Sequence, residues 1–294
     1  MIPKAGIFFS SHSISAKKQM AKRICIWAVL LLLGHLQAFS QPWFDPGGVT
    51  FWHQPGKGKT PDEWMRSAFL SVPVTVSKQF KVVVSPFYEN RRLVYEGFAP
   101  RSFQSGALPF TLLYTSRDTS AMFTLTSISR LNGLSLEPFE DVYQQGFAAM
   151  VNFRVNKHLR LKGGLYYNHE FFSDYFVPLA GIEWRINPRM QLYGTIPNSM
   201  KWEIRIGEKL YGGLAYKSIT NSYRLYNGTA YMKIMDNHAA VYFEYYLTGK
   251  VVIAAEAGHT FMRSIRYRNT SVLPESLKNQ PVLKLGCNYR IRFD

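Results

Sequence analysis

From Arg66 onward the hydrophobic positions do not recur with the 3.6-residue period of a helix. Stretches of about eight to twelve residues alternate apolar and polar side chains and are then broken by turn residues. The last stretch is the clearest. Leu283, Leu285, Cys287, Tyr289, Ile291 and Phe293 share one face, and Lys284, Gly286, Asn288, Arg290 and Arg292 share the other, because successive side chains of a strand point to opposite sides. Phe147, Ala149, Val151 and Phe153 oppose Ala148, Met150, Asn152 and Arg154 in the same way. Leu159, Leu161 and Leu165 oppose Arg160, Lys162 and Tyr166, and Val241, Phe243 and Tyr245 oppose Tyr242, Glu244 and Tyr246.

The connections come in two sizes. Ser77-Lys78, Asn156-Lys157, Asn187-Pro188, Gly207-Glu208, Asp236-Asn237 and Thr248-Gly249 read as tight turns, whereas 89–106, 131–144, 219–227 and 264–280 are longer and polar. Short turns at one end, long loops at the other and aromatic residues crowding the strand ends predict an all-β, antiparallel transmembrane barrel. Only a helix or a closed barrel leaves no unpaired backbone facing lipid, and beyond residue 40 the chain offers no apolar run long enough for a spanning helix. Fifteen spans can be marked, from 49–53 through 189–196, 200–206, 228–235 and 238–247 to 281–293. Fifteen is odd, and the three spans between the 219–227 and 264–280 loops place those loops at opposite ends, so the expectation is about 12 strands, with 10 to 14 allowed. The short pair 189–196 and 200–206 and the first span are the weakest members.

Residues 1–40 read as a secretory signal peptide. Lys22-Arg23 precedes the apolar run Ile24 to Leu33, and Ala38-Phe39-Ser40 offers a small-x-small cleavage site. Met20 makes a compact alternative start. Residues 41–65 form an N-terminal segment with a possible first strand, and 66–294 the barrel. Cys25 leaves with the leader, and Lys22 and Arg23 do not suit a lipoprotein site, so Cys287 is the mature chain's single cysteine and an internal disulfide is excluded.

Composition sharpens this picture. A hydrophobic fraction of 47% excludes disorder. The net charge of +16 suggests nucleic acid, but Lys4, Lys17, Lys18, Lys22 and Arg23 belong to the leader, leaving 30 basic against 19 acidic residues. Strand alternation sends many of those inward, away from any exposed patch for a phosphate backbone, and no nucleic-acid partner is expected.

At Pro178-Leu179-Ala180-Gly181-Ile182-Glu183-Trp184-Arg185 through Trp202-Glu203-Ile204-Arg205-Ile206, and at Glu244-Tyr245-Tyr246-Leu247-Thr248-Gly249-Lys250 with Ala255-Glu256-Ala257-Gly258, the chain resembles uncharacterised outer-membrane β-barrel proteins of Gram-negative bacteria, catalogued as a domain of unknown function. The resemblance runs from about Arg66 to the end. It implies location in the cell outer membrane, contact with outer-membrane lipid and lipopolysaccharide, and insertion by the barrel-assembly machinery. It supplies no activity. Such barrels usually end in an aromatic residue, whereas Phe293 here is followed by Asp294.

The inward cationic set is Arg154, Arg160, Lys162, Arg185, Lys201, Arg205, Lys217, Lys233, Lys284, Arg290 and Arg292. Lining an open lumen, these residues favour anions. Paired with Glu183, Glu203, Glu244 and Glu256 they plug it. A passive anion-leaning channel and a structural barrel are therefore both open at this point. Surface-facing Arg and Lys near the outer rim suit lipopolysaccharide phosphates.

Catalytic motifs are weak. Gly56-Lys57-Gly58-Lys59-Thr60 resembles a phosphate loop, but position 53 is His and Pro61 follows, so a polar loop is expected. A lipid-modifying hydrolase is an alternative, with His259 near Ser264 as its least unlikely base. His169 and Glu170 fall on opposite faces, and His158 and His238 sit at predicted turns. No metal-ligand spacing and no cofactor motif are present. A further alternative is an exported soluble β-sandwich that binds acidic glycans. N-terminal sequencing of the exported protein should read Gln41-Pro42-Trp43; a start at Met20 or earlier would show that the leader is retained.

Overall fold

The computed structural model describes residues 43–58, 60–225, 229–268 and 278–292. The predicted leader and Phe293-Asp294 lie outside the described residues. In chain order the strands are β1 Trp43–Gln54, β2 Asp62–Leu70, β3 Val72–Thr75, β4 Phe80–Val84, β5 Phe87–Val94, β6 Arg101–Thr115 and β7 Ala121–Gly133. One short helix, α1 Phe139–Val142, precedes β8 Tyr143–Arg154, β9 Leu159–Glu170, β10 Ser173–Asn187, β11 Met190–Ile196 and β12 Ser199–Arg205. The chain continues with β13 Leu210–Arg224, β14 Tyr231–Tyr246, β15 Val251–Arg268 and β16 Pro281–Arg292.

These segments form fourteen wall strands, because β2–β3 and β4–β5 are each one strand with a break. The breaks face each other at Ser71 and Ser85-Pro86, where the two serine hydroxyls lie 3.1 Å apart, and Pro86 lacks the donor that a continuous ladder needs. Each wall strand pairs antiparallel with its sequence neighbours, and β1 closes on β16 through Val49↔Cys287 and Phe51↔Leu285. The expectation of a barrel holds. A sandwich is ruled out, because the sheet closes on itself.

The outward positions carry exposed apolar residues all round, among them Phe51, Phe110, Phe123, Leu165, Phe243 and Leu285. The inward positions carry the buried charges. Apolar outside and ionic inside is the reverse of a soluble domain, and it makes this a membrane-spanning barrel of the outer-membrane type.

The fourteen strands lie within the expected range, but the surplus span is not among the three doubtful ones. β11 and β12 are genuine, at seven residues each, and β1 is longer than the marked span. The error is the turn at Asp236-Asn237, because β14 runs unbroken for 16 residues. Merging the two spans around that point removes the odd strand and brings both long loops to one end. A second deviation lies in β15. Met262 takes a φ of 51°, and the ladder to β14 steps from Asn237↔Phe261 to Met235↔Ser264. This bulge inverts the alternation: Val252, Ala254 and Thr260 are buried before it, and Arg263, Ile265 and Tyr267 after it.

The wall is incomplete above the short β11–β12 hairpin. Ser173–Leu179 of β10 pairs only with β9, and Ser218–Arg224 of β13 only with β14, apart from one contact with β7. That contact is parallel, at Arg224↔Gly133. The tops of β8–β10 lean on the outside of β13, where the Phe171 amide donates to Ser222 Oγ at 3.2 Å. The notch is seven residues high, about 20 Å.

Gly213 makes the hairpin's seam with β13 possible. Its φ is 156°, and an added Cβ would stand 1.9 Å from the Trp202 carbonyl oxygen. Gly213→Ala should cost roughly 1–3 kcal/mol, read as a lower temperature for the folded-to-unfolded shift on a heat-modifiability gel. An unchanged transition would contradict this placement of the seam.

Candidate functional site: a closed lumen

The strand register carries inward-pointing polar groups from most of the wall to one level near the loop end. Glu63 on β2 lies between two guanidiniums: Arg91 Nη1 of β5 stands 2.7 Å from its Oε1, and Arg263 Nη2 of β15 holds Oε2. Arg263 Nε is 3.6 Å from Asp236 Oδ2 on β14, to which Gln54 Nε2 of β1 donates at 3.0 Å. Arg91 Nε reaches Glu89 at 3.8 Å, and the Tyr223 hydroxyl of β13 donates to Glu89 Oε1 at 3.1 Å.

From there the contacts pass through Asn221 to β7 and on to the tops of β8 and β9, which lie against the outer side of β13 at Ser222. Asn221 Nδ2 donates to the Tyr223 hydroxyl at 3.1 Å, and Asn132 Nδ2 of β7 to Asn221 Oδ1 at 3.1 Å. Gln144 of β8 accepts from Asn132 and donates to Glu170 of β9 at 2.8 Å. Arg130 Nη1 sits 3.5 Å from Glu170, and Ser105 of β6 donates to Asn132. Ten segments, β1, β2, β5–β9 and β13–β15, are joined by one hydrogen-bonded layer.

This layer is dry. Gln54, Asp236 and Asn132 are 0% exposed, Arg91 1%, Glu63 2% and Arg263 5%. On its loop side lies an apolar core inside the barrel, built from Leu93, Phe103, Tyr223, Met232, Ile234 and Ile265. Charges in such a place persist only when compensated, and here each guanidinium stands within ion-pair distance of a carboxylate.

A second ionic layer lies nearer the turn end. Arg290 spans the Asp45 carboxylate with Nε at 2.7 Å and Nη2 at 2.9 Å, and its Nη1 holds Glu244. Lys201 joins Glu244 at 3.2 Å, and Arg292 joins Glu203 at 2.6 Å. Lys162 pairs with Glu183 and Lys284 with Glu256, both buried or half-buried. All four glutamates considered from the sequence thus meet cations. Between the layers lies a chamber of about 320 Å³ lined by Lys217, His238, Lys284 and Glu256. Arg185, Arg205, Lys209 and Arg292 line a second cavity of about 470 Å³ at the turn-end mouth. Arg154 and Arg160 are register partners near the same end.

Three sequence expectations change here. Lys233 faces outward: Tyr242, Glu244 and Tyr246 set the inward phase of β14, and an unbroken strand puts Met232, Ile234 and Asp236 on that face instead. His238 is not a solvated turn residue, since it is 3% exposed inside β14 with its ring edge-on to Trp52 at 4.7 Å. His259 lies exposed on the outer face, with Nδ1 2.7 Å from the Thr260 carbonyl oxygen and no hydrogen bond to Ser264. His169 and Glu170 do separate, His169 to Asp174 outside and Glu170 to the buried layer. Gly56 to Thr60 falls in the β1–β2 connection, where Lys59 is outside the described residues.

The sequence reading missed Glu63, Arg91, Asp236 and Arg263. Arg91 was assigned to a loop and Asp236 to a turn, and Arg263 follows the bulge. Acidic and basic residues at inward positions of longer strands were the available signal.

No protein-family model matches the chain, and no curated protein does. Among solved structures it is similar to the NanC porin, at 8% identity over 83% of this chain and 100% of that one, TM-score 0.39. It is also similar to outer membrane phospholipase A from Escherichia coli, at 10% over 85% and 98%, TM-score 0.40. The translocator domain of the autotransporter NalP from Neisseria meningitidis aligns at 10% over 95% and 97%, TM-score 0.37. Identities of this size carry no information about activity.

Arg263→Ala removes one guanidinium and leaves Glu63 and Asp236 under-compensated, so it should destabilise the barrel by roughly 3–5 kcal/mol. Lys157→Ala at an exposed turn should stay within about 0.5 kcal/mol of the parent. Urea unfolding followed by tryptophan fluorescence checks both, and equal midpoints would contradict the layer's role.

Proposed function

We propose that this protein is a non-conducting, structural outer-membrane barrel. Of the two readings left open by the sequence, the channel and the filled barrel, the second is supported by one observation. The layer of hydrogen bonds and ion pairs from Gln54 to Asn132 crosses the lumen, with Gln54, Asp236, Glu63, Arg91, Arg263 and Asn132 at 5% exposure or less. An ion in transit needs a hydrated path or a ring of ligands that it can enter and leave. Here the cations that would select an anion, Arg91, Arg263, Arg290 and Arg292, are already held by carboxylates.

The end with short turns and both barrel termini faces the periplasm in barrels of this kind, so the sealed end with the longer connections faces outward. The basic mouth lined by Arg185 and Arg205 then opens on the periplasmic side. Its charge belongs to the barrel's inner rim.

Planar-bilayer recordings on the purified chain test this reading. The native barrel should insert without producing current steps. Reproducible anion-selective steps across independent preparations would contradict it.

A further inference from the structure

We propose that the outward face of β13–β15 at the loop-end rim binds the phosphate of an outer-leaflet glycolipid. The proposal rests on the outer-membrane placement and outward loop end given above, and not on whether the lumen conducts.

The observation is a block of like charge on the lipid-facing side. Lys233 of β14 and Arg266 of β15 are direct cross-strand partners. One row nearer the rim, Tyr231 stands between Arg224 and Arg268. Like charges placed opposite each other repel, and among the described residues no carboxylate forms an ion pair with any of the four. Elsewhere in the barrel Lys162, Lys201, Lys284, Arg91, Arg290 and Arg292 all meet carboxylates. Arg224 Nε donates to the Asp141 carbonyl oxygen at 2.9 Å, which leaves Lys233, Arg266 and Arg268 as the cations that a bound anion would neutralise.

Its height fixes the source of the anion. Met235 on β14 and Met262 on β15 are exposed and apolar just toward the turn end, and Val241 and Phe243 continue the apolar belt. The cations begin where that belt stops, at headgroup level. The β9–β10 turn supplies an apolar shelf beside them. Phe172 lies under the Lys233 ammonium at 3.6 Å, and Phe171 under the Arg224 guanidinium at 4.2 Å. The shelf borders the wall notch over Ser218–Arg224. Charge-assisted contacts from Arg and Lys suit a phosphate monoester, and the shelf suits the first carbons of its acyl chains.

Native mass spectrometry of the full chain in neutral detergent, mixed with lipid A, tests the site; inorganic phosphate alone and dephosphorylated lipid A are the comparison probes. The parent should retain lipid A and not its dephosphorylated form. The double variant Lys233→Gln, Arg266→Gln should retain at least ten-fold less, Lys233→Arg with Arg266→Lys should retain as much as the parent, and Lys157→Gln at the opposite end should change nothing. Equal retention by a double glutamine variant that still folds on a heat-modifiability gel would overturn the proposal, as would equal retention of the dephosphorylated lipid. Inorganic phosphate binding as tightly as lipid A would overturn the lipid source. Retention is read in micelles and conductance in bilayers, so this proposal and the non-conducting reading fail separately.

Discussion

Glu63 ion-paired with Arg91 and accepting from Arg263 is the contact on which the rest of the lumen depends. Three strands, β2, β5 and β15, are fixed to one level by it, and Asp236 and Gln54 add β14 and β1. A barrel of fourteen strands is wide enough to hold water, because interior width grows with strand number. Filling it with apolar side chains alone would require an inward face indistinguishable from the outward one, and strands would then have no preference for which face meets lipid. An ionic interior removes that ambiguity, since a one-residue slip would place Arg91 or Arg263 in hydrocarbon. A buried pair is weak evidence of net stability; its role here is to set register and exclude water.

The bulge at Met262 shows how local backbone geometry serves that layer. Before it, inward positions of β15 are even-numbered, ending at Thr260. After it they are odd-numbered, beginning at Arg263. Without the extra residue Arg263 would face lipid and Met262 the lumen. The same phase change brings Ile265 and Tyr267 into the apolar core on the loop side, where the Tyr267 and Tyr95 hydroxyls meet at 3.1 Å. One irregular residue thus supplies both the ionic seal and part of its cover.

Much of the fold was legible in the sequence, because period-2 alternation has a direct physical cause. The C-terminal strand and β8–β10 follow the alternation expected of them, whereas Lys233, counted among the inward cations, faces outward because β14 runs unbroken. What the pattern could not deliver were interruptions that only tertiary contacts explain. Asp236-Asn237 has the composition of a turn, yet Asp236 stays in the strand, where Gln54 and Arg263 hold its Oδ2. Arg91 looked like a loop residue beside Arg92, and no sequence rule announces the bulge that redirects Arg263. The shortness of β11 and β12 is legible in the spans 189–196 and 200–206, but that a short hairpin leaves a notch in the wall follows only from the longer β10 and β13 beside it.

The central claim is that solvent does not cross the lumen at the Glu63 level, and thiol accessibility tests it most directly. In a Cys287→Ser background, a cysteine is placed either at Lys217 in the chamber or at Glu96 in the β5–β6 loop, and intact cells are treated with a membrane-impermeant maleimide. The account predicts labelling of Glu96→Cys and none of Lys217→Cys. Labelling of Lys217→Cys from outside would contradict it.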